Sequence, residues 1–192
     1  MGLILAGGQN RRFDHEPKGA YTWQEKSLFE HVEESLVEVT SEIFVSVHDT
    51  RPPGVSAELP IIPDYYEERL GPMNGIYSAL VELEEPLLVV PWDMPVVSRN
   101  LLEILTNDYH RQRHGPLCFR YHGSVYPFPG IYSPRARRAL KQSLKEKKLS
   151  MTCWLQSQSS RFLDLEEFPE INRPGEELQN INTPDDLENL SE

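Results

Sequence analysis

The sequence predicts an α/β protein with a Rossmann-like, mostly parallel sheet flanked by helices. The continuous apolar run at residues 2–6 and the largely apolar stretches at residues 42–48 and 85–93 are typical of strands that are buried on both faces of a parallel sheet. Residues 58–64 form a shorter run of the same kind. Helical patterns lie between these runs, and this alternation with short connections predicts βαβ units joined by right-handed crossovers.

Two helices are predicted between the strands of the first half. Leu28, Val32, Leu36 and Val39 recur at steps of three and four residues, which indicates an amphipathic helix. Residues 73–83 fit a second helix. Both helices would cover faces of the predicted sheet.

The second half is less regular. Ser98 is a candidate N-cap for a helix through Leu105, and residues 116–132 predict strands that are interrupted at His122-Gly123, as in a hairpin. Thr183-Pro184-Asp185-Asp186 resembles a capping box that begins a final short helix, with Asp in place of the usual Glu. All of these elements are expected to belong to one domain over residues 1–192.

A basic helix is predicted after Ser133-Pro134, where serine would act as the N-cap and proline as the first helical residue. Its charges form either a solvated helix face or a landing surface for an anionic substrate or partner. The cations are Arg135, Arg137, Arg138, Lys141, Lys145, Lys147 and Lys148.

Composition restricts the possible partners and compartments. The net charge of −11 over 192 residues excludes a general nucleic-acid or membrane-surface binder, so any phosphate site must be local. Cys118 and Cys153 form no Cys-x-x-Cys pair, and no signal segment or apolar run of membrane-spanning length is present. We therefore expect a soluble protein of the reducing cytoplasm.

The loop after the first strand suits a polyphosphate. Gly7 and Gly8 allow close backbone approach, and Arg11, Arg12 and Lys18 supply positive charge in an acidic chain. The dinucleotide and P-loop glycine patterns are both absent. The alternative is an ordinary Gly-Gly turn with solvated arginines.

Asp93 stands just beyond the apolar run at residues 85–93, between two prolines. A carboxylate there suits a Mg²⁺ ligand, because magnesium is held by one or two carboxylates together with substrate phosphates and water. The alternative is a turn or capping aspartate.

Two further segments add polar groups. Asp64 follows the run at residues 58–64, and Gly71-Pro72-Met73-Asn74-Gly75 then leads into a helix, so this loop could enclose a base or ribose. Asn180 and Asn182 would share a face if extended, which would place two amides beside a phosphate or metal. Ordinary turns and a strand-to-helix junction also explain these residues.

In order, the stretches "LILAGGQNRRF", Lys18, "GPMNG", "VVPWDMP" and "NINTPDDL" resemble the molybdenum cofactor guanylyltransferases. The resemblance spans nearly the whole chain and implies a fold of the nucleotide-diphospho-sugar transferase (GT-A) type. It implies GTP and the molybdopterin cofactor as substrates, Mg²⁺ as cofactor and pyrophosphate as product. It also suggests other cofactor-biosynthesis proteins or apo-molybdoenzymes as partners.

The resemblance assigns roles to residues. Leu5, Ala6, Gly7, Gly8, Lys18, Asp64, Gly75 and Asp93 would contact the nucleotide, and Asp93 would also hold the magnesium. Asn180 and Asn182 would lie near the acceptor. Because the acceptor phosphate is already anionic, catalysis needs positioning and charge neutralisation, for which Arg12, Lys18 and Asp93 are the candidates.

Three positions depart from the family pattern: Asn10 replaces a common serine, Asp14 a common glycine, and Ser46 a strand-end asparagine. A carboxylate at Asp14 would repel a nearby triphosphate. Pro17-Lys18 also occurs in transferases that use CTP or sugar phosphates, so another nucleotidyltransferase of this fold is the first alternative. A non-catalytic nucleotide-binding or partner-binding module, motivated by Asp14, is the second.

Overall fold

The computed structural model describes residues 1–7, 18–112 and 115–190. The strands are β1 (Gly2–Leu5), β2 (Thr22–Trp23), β3 (Lys26–Ser27), β4 (Ile43–Val47), β5 (Ile61–Pro63), β6 (Leu87–Pro91), β7 (Leu117–Tyr121), β8 (Ser124–Tyr132) and β9 (Arg161–Asp164). The helices are α1 (Leu28–Val37), α2 (Pro72–Leu83), α3 (Arg99–Arg111), α4 (Arg137–Lys145), α5 (Met151–Ser157), α6 (Pro174–Glu177) and α7 (Pro184–Glu188).

Seven strands form one sheet in the order β5-β4-β1-β6-β8-β7-β9. Strands β5, β4, β1 and β6 are mutually parallel, β8 is antiparallel to both of its neighbours, and β9 is parallel to β7. The prediction of a mostly parallel sheet is therefore confirmed. The hairpin predicted around His122-Gly123 is the β7–β8 pair.

Both faces of the sheet are covered, which explains why the central strands read as continuous apolar runs. Ile4 points into a core with α1 and α3, whereas its neighbours Leu3 and Leu5 point into a second core with α2, α4 and α5. Successive residues of a strand face opposite sides, so one four-residue strand contributes to both cores.

Local hydrogen bonds fix where α1 begins. Glu30 N donates to Ser27 Oγ at 3.2 Å, and Ser27 N donates to Glu30 Oε2 at 2.7 Å, which is a complete capping box. The predicted face with Leu28, Val32 and Leu36 is fully buried. The helix predicted at residues 73–83 is likewise present as α2.

The basic segment differs from the prediction. Ser133 does not cap a helix: residues Pro134–Ala136 form a 3-10 turn, and the Ser133 hydroxyl is buried without a hydrogen-bond partner among the described groups. The helix proper is α4, and it ends at Lys145 because Lys147 adopts a left-handed φ of 56°. Lys147 pairs with Glu68 at 2.9 Å, on the loop that precedes α2.

Some elements were not predicted. The α3 helix continues to Arg111, beyond the expected end at Leu105, and α5 and β9 had no assignment. β9 is only four residues long and joins the sheet by pairing with β7, with Leu117 opposite Arg161. Such a short strand depends on its neighbour rather than on a pattern of its own. Among the described helices, none is long and apolar enough to cross a membrane.

Candidate nucleotide site

A cavity of about 340 Å³ opens where the strand order reverses, at the carboxyl ends of the parallel strands. β1 lies between β4 and β6, and the chain moves outward from β1 in both directions, which defines the switch point of a doubly wound sheet. The lining residues are Leu5, Gly7, Ser46, Val47, His48, Asp64, Arg69, Gly71, Pro72, Gly75, Pro91, Trp92, Asp93, Phe128 and Asn180.

The main chain at the end of β1 borders the cavity. Leu5 and Gly7 both line it, and a Cβ built on Gly7 would meet no atom of the described residues within 4 Å. Ala6, also predicted to contact the nucleotide, is instead buried in the core, and its N–H donates to Ser46 O at 2.9 Å. Ala6 therefore ties β1 to β4 beneath the cavity.

Asp93 occupies the end of β6 and meets the C-terminal segment. Asn180 Nδ2 donates to Asp93 Oδ1 at 3.0 Å, and Ile181 N donates to the Asp93 carbonyl at 2.7 Å. These contacts hold residues 180–182 beside the carboxylate. Two residues that are 87 positions apart in the sequence thus form one wall of the cavity.

Asn182 is placed differently from Asn180. Its Nδ2 donates to the Asn180 carbonyl at 3.3 Å, and Asn182 does not line the cavity. The segment is not a regular strand and its backbone is held by α7, so only Asn180 reaches the cavity, and a contact of Asn182 with the acceptor stays a prediction. Asp186 Oδ2 accepts from Asn182 N at 2.6 Å and from Thr183 N at 2.8 Å, which completes the capping box predicted at Thr183.

Asp64 and His48 form a pair at the other end of the cavity. His48 Nδ1 lies 3.1 Å from Asp64 Oδ2, and the two side chains are only 18% and 11% exposed. Burial raises the pKa of Asp64, and this effect is opposed by hydrogen bonds from His48 and Asn74 and by the charge of Arg69. The carboxylate is thus held in the cavity wall at a cost in solvation.

The lost solvation of the Asp64 carboxylate should make the stability of the protein depend on pH. An acid whose pKa is raised by folding binds more protons in the folded state than in the unfolded state, so stability falls as pH rises between the two pKa values. We expect Asp64→Asn to raise the free energy of unfolding at pH 7, with the gain vanishing below the usual titration range of aspartate. Urea denaturation from about pH 7 to about pH 3, below the ordinary aspartate pKa, measures this.

Glu177→Gln is the matched control, because burial also raises the pKa of Glu177. Glu177 Oε2 accepts from Ser98 N at 3.0 Å, and Glu177 does not line the cavity. Both variants should show the same pH trend, but only Asp64→Asn should change nucleotide binding. A loss of stability in Asp64→Asn at pH 7 would contradict the solvation argument.

The loop after Asp64 is fastened to α2. Tyr65 N donates to Ser78 Oγ at 2.7 Å, and Asn74 Nδ2 donates to Tyr66 O at 2.9 Å. Asn74 is fully buried, so it holds the loop rather than marking an exposed turn. Gly71 precedes α2 with a φ of 70°, a conformation that glycine adopts without strain.

The first turn of α2 lies directly against the sheet. A Cβ on Gly75 would collide with Ser46 Oγ and lie 3.2 Å from Leu5 Cδ2. Only glycine therefore lets this helix approach the ends of β1 and β4. Ser46, the position that departs from the family pattern, is in contact with this glycine.

The structure describes only some of the residues that are predicted to bind phosphate. Gly8 and Arg12 lie outside the described residues, as do Asn10 and Asp14. Lys18 begins a 3-10 turn at Lys18–Ala20, and the next residue, Gly19, packs so closely on the Trp92 ring that a Cβ would overlap it. The turn that begins at Lys18 is thereby fixed against Trp92, the residue that precedes Asp93.

The lining residues that were not predicted from the sequence include His48, Trp92 and Phe128. His48 ends an apolar run just as Asp64 and Asp93 do, so the strand-end rule indicates it equally. Trp92 stands next to Asp93 but reads as part of the buried run. Phe128 comes from β8, and no local pattern relates it to a site.

The donor set is compatible with magnesium. No group of three or more His, Cys, Asp or Glu side chains gathers around a point in the described part of the chain. Magnesium does not require such a cage, since one carboxylate plus substrate phosphates and water is enough. Asp93, which lines the cavity, meets this requirement.

A doubly wound sheet with a cavity at its switch point, lined by Asp64 and Asp93 among apolar groups, is typical of nucleotide-binding α/β proteins. Residues 2–161 match the family model described as MobA-like NTP transferase domain, and the chain belongs to that family. The fold is thus of the nucleotide-diphospho-sugar transferase type, as the resemblance implies.

Individual relatives agree with the family assignment. A protein of Flavobacterium johnsoniae named probable molybdenum cofactor guanylyltransferase is 29% identical over 98% of this chain and 95% of its own length. The crystal structure of molybdopterin-guanine dinucleotide biosynthesis protein A from Archaeoglobus fulgidus superposes with a TM-score of 0.81 at 22% identity, over 97% of this chain and 94% of that one.

A cytidylyltransferase shares the fold as well. The structure of 2-C-methyl-D-erythritol 4-phosphate cytidylyltransferase from Thermus thermophilus superposes with a TM-score of 0.61 at 17% identity, over 96% of this chain and 94% of that one. The fold by itself is therefore compatible with different bases.

Proposed function

We propose that this protein transfers GMP from GTP to the terminal phosphate of the molybdopterin cofactor, with Mg²⁺ as cofactor and pyrophosphate as the second product. The observation that carries the proposal is the contact between Asp93 and Asn180. It joins the Asp93 carboxylate, which lines the nucleotide cavity, to the segment that the family resemblance associates with the acceptor. Relatives that match over nearly their whole length are named molybdenum cofactor guanylyltransferases, which supports the same reaction.

The reaction requires the protein mainly to position the two substrates and to neutralise the charge of their phosphates. The acceptor phosphate attacks the α-phosphorus in line while pyrophosphate leaves, so no side-chain nucleophile or general base is required. The open backbone at Gly7 gives room for the phosphates, and the contact with Asn180 orients the Asp93 carboxylate. Bound magnesium would supply positive charge that offsets the charge on the phosphate oxygens.

We also propose that basic side chains of the protein neutralise the phosphates. Arg12 and Lys18 would stabilise the β- and γ-phosphates, and the position of the Lys18–Ala20 turn beside Trp92 supports this role for Lys18.

Neither cysteine is in a disulfide, with Cys118 buried and Cys153 exposed. We place the reaction in the reducing cytoplasm.

The choice of nucleotide is testable by thermal stabilisation. A ligand that binds only the folded protein stabilises it by about 2.7 kcal/mol at a hundred times its Kd. With Mg²⁺ present, we expect GTP to raise the Tm by several degrees and CTP, ATP and UTP to raise it much less. A preference for CTP would replace the guanylyl assignment by the cytidylyl one.

A second measurement distinguishes a transferase from a non-catalytic nucleotide-binding module. We expect pyrophosphate release when GTP, Mg²⁺ and molybdopterin are supplied together, and none when molybdopterin is omitted. Binding of GTP without pyrophosphate release under the complete conditions would favour a nucleotide-binding module instead.

A further inference from the structure

We infer that the exposed side of α4 is a docking surface for an acidic, amphipathic helix of a partner protein, and that Tyr65 is the apolar anchor at its end. This role goes beyond the proposed function and does not depend on it, since the surface lies outside the nucleotide cavity. Unpaired positive charges, an exposed but well-packed aromatic ring and the direction of α4 together favour it.

Three cations of α4 form one stripe, here called the α4 stripe: Arg138, Lys141 and Lys145. At 3.6 residues per turn, their Cα atoms lie within about 60° around the helix axis and about 10 Å along it. All three side chains are exposed, whereas Leu140 and Leu144 of the same helix are buried in the core shared with α2. The stripe is therefore presented to solvent by a helix that is fixed on its other side.

The chain neutralises other cations of the basic segment but not the α4 stripe. The paired cations are held by carboxylates at 2.7–2.9 Å: Arg137 by Glu84, Lys147 by Glu68, and Lys148 by Glu146. Within the part of the chain that the structure describes, the stripe forms no ion pair, although the chain has 30 acidic and only 19 basic residues. Like charges at these spacings destabilise a helix, and a complementary partner would remove that cost.

Tyr65 supplies an apolar group near the end of the α4 stripe. Its side chain is 55% exposed, yet its ring packs edge-on against Tyr66 and Tyr77 with centroids 5.0 and 5.3 Å away. A ring already held in this way loses little freedom when a partner covers it, and tyrosine is enriched among the residues that dominate binding energy.

The ion pair between Lys147 and Glu68 brings Tyr65 to the stripe. Lys147 follows Lys145 by two residues, and its Nζ lies 2.9 Å from Glu68 Oε2. Tyr65 precedes Glu68 by three residues, so their Cα atoms are at most about 11 Å apart. The cations and the aromatic ring can therefore contact one partner segment.

The α4 stripe leads toward the rim of the nucleotide cavity. Arg137 at the start of α4 pairs with Glu84 just after α2, and Lys147 just after α4 pairs with Glu68 just before α2, so the two helices are antiparallel. Arg69, the neighbour of Glu68, lines the cavity. A partner docked along α4 would thus reach the cavity entrance, a position that suits a protein that delivers a substrate or receives a product.

The size of the stripe favours an acidic protein segment over a polyanion. Duplex nucleic acid carries one charge per about 1.7 Å and would extend past the stripe onto a chain whose net charge is −11. An anionic membrane surface would meet the same repulsion. An acidic helix can repeat the spacing of three and four residues, present its carboxylates only where the cations are, and turn an apolar side chain to Tyr65.

Binding of a designed peptide by the full chain tests this surface. The probe is a fluorescent helical peptide with Glu at i, i+3 and i+7 and Leu beside them, and its reference has Gln at the same positions. At about 50 mM salt, where surface charges are weakly screened, we expect the wild-type protein to prefer the Glu peptide in fluorescence anisotropy. Arg138→Gln with Lys141→Gln and Lys145→Gln should weaken binding roughly 10-fold, and Tyr65→Ala roughly 5-fold.

A second triple variant is the matched control, because it removes the same three positive charges from other exposed positions. It combines Lys26→Gln, Arg99→Gln and Arg111→Gln. Its affinity for the Glu peptide should stay within about 2-fold of the wild-type value, since single exposed charges contribute little. Equal weakening by both triple variants would show that only net charge matters and would overturn the assignment.

Further outcomes separate the docking surface from the proposed function. Equal affinity of the wild-type protein for the Glu and Gln peptides would overturn the docking surface, and so would tighter binding to phosphatidylglycerol vesicles or to an RNA oligonucleotide. The α4 triple variant should release pyrophosphate from GTP and free molybdopterin at the wild-type rate; a slower rate would assign the stripe to the substrate site instead. No release by the wild-type protein would refute the proposed function and leave the peptide result standing.

Discussion

Asp93→Asn is expected to lower the rate of pyrophosphate release roughly 10²- to 10³-fold, the usual cost of losing one preorganised charge contact to a transition state. Asparagine keeps an oxygen that can accept from Asn180 Nδ2, so the wall of the cavity should stay in place. The negative charge that would hold magnesium is removed. The Mg²⁺ concentration for half-maximal rate should therefore rise while the Tm stays close to that of the wild-type protein.

Asp185→Asn is the matched control for this variant. Asp185 is an exposed carboxylate on α7, close in sequence to the segment that contacts Asp93. It should leave both the rate and the magnesium dependence unchanged. Wild-type pyrophosphate release by Asp93→Asn would show that Asp93 neither holds the metal nor contributes its charge to the reaction.

Gly75→Ala is expected to reduce both stability and nucleotide affinity. The new methyl group would collide with Ser46 Oγ and press on Leu5, so α2 must move away from the sheet. Overpacking of this kind costs roughly 1–3 kcal/mol, and a domain of this size loses about 2–4 °C in Tm for each kcal/mol. Because Gly75 lines the cavity, the same movement should weaken GTP binding in a titration.

A double substitution tests whether the collision with Ser46 Oγ causes the loss of stability in Gly75→Ala. Ser46→Ala removes the oxygen that the new methyl group meets, although the Cβ of residue 46 remains 3.2 Å away. Gly75→Ala with Ser46→Ala should therefore recover part of the lost stability, which is a non-additive effect. Gly7→Ala, whose Cβ meets nothing within 4 Å, should leave stability unchanged. Strict additivity at positions 46 and 75 would contradict the steric explanation.

The sequence predicted most of the fold because buried parallel strands and amphipathic helices leave local patterns. The runs that became β1, β4 and β6 are apolar on both sides, since both faces of the sheet are covered. The capping sequence at Thr183 likewise forms from residues only three positions apart. In contrast, β9 exists only through its pairing with β7, and the basic segment ends early at a left-handed residue.

For the site, the sequence indicated the strand-end positions Gly7, Asp64 and Asp93, because parallel strands bring their carboxyl ends to one edge. It did not indicate that His48 orients Asp64, or that Asn180 reaches Asp93 while Asn182 turns away.

Strand ends follow from the local order of residues, and so the sequence by itself determined which loops form the cavity. Only the tertiary structure decided which side chains meet inside it, because hydrogen bonds between residues as distant as Asp93 and Asn180 depend on how loops from separate strands pack together.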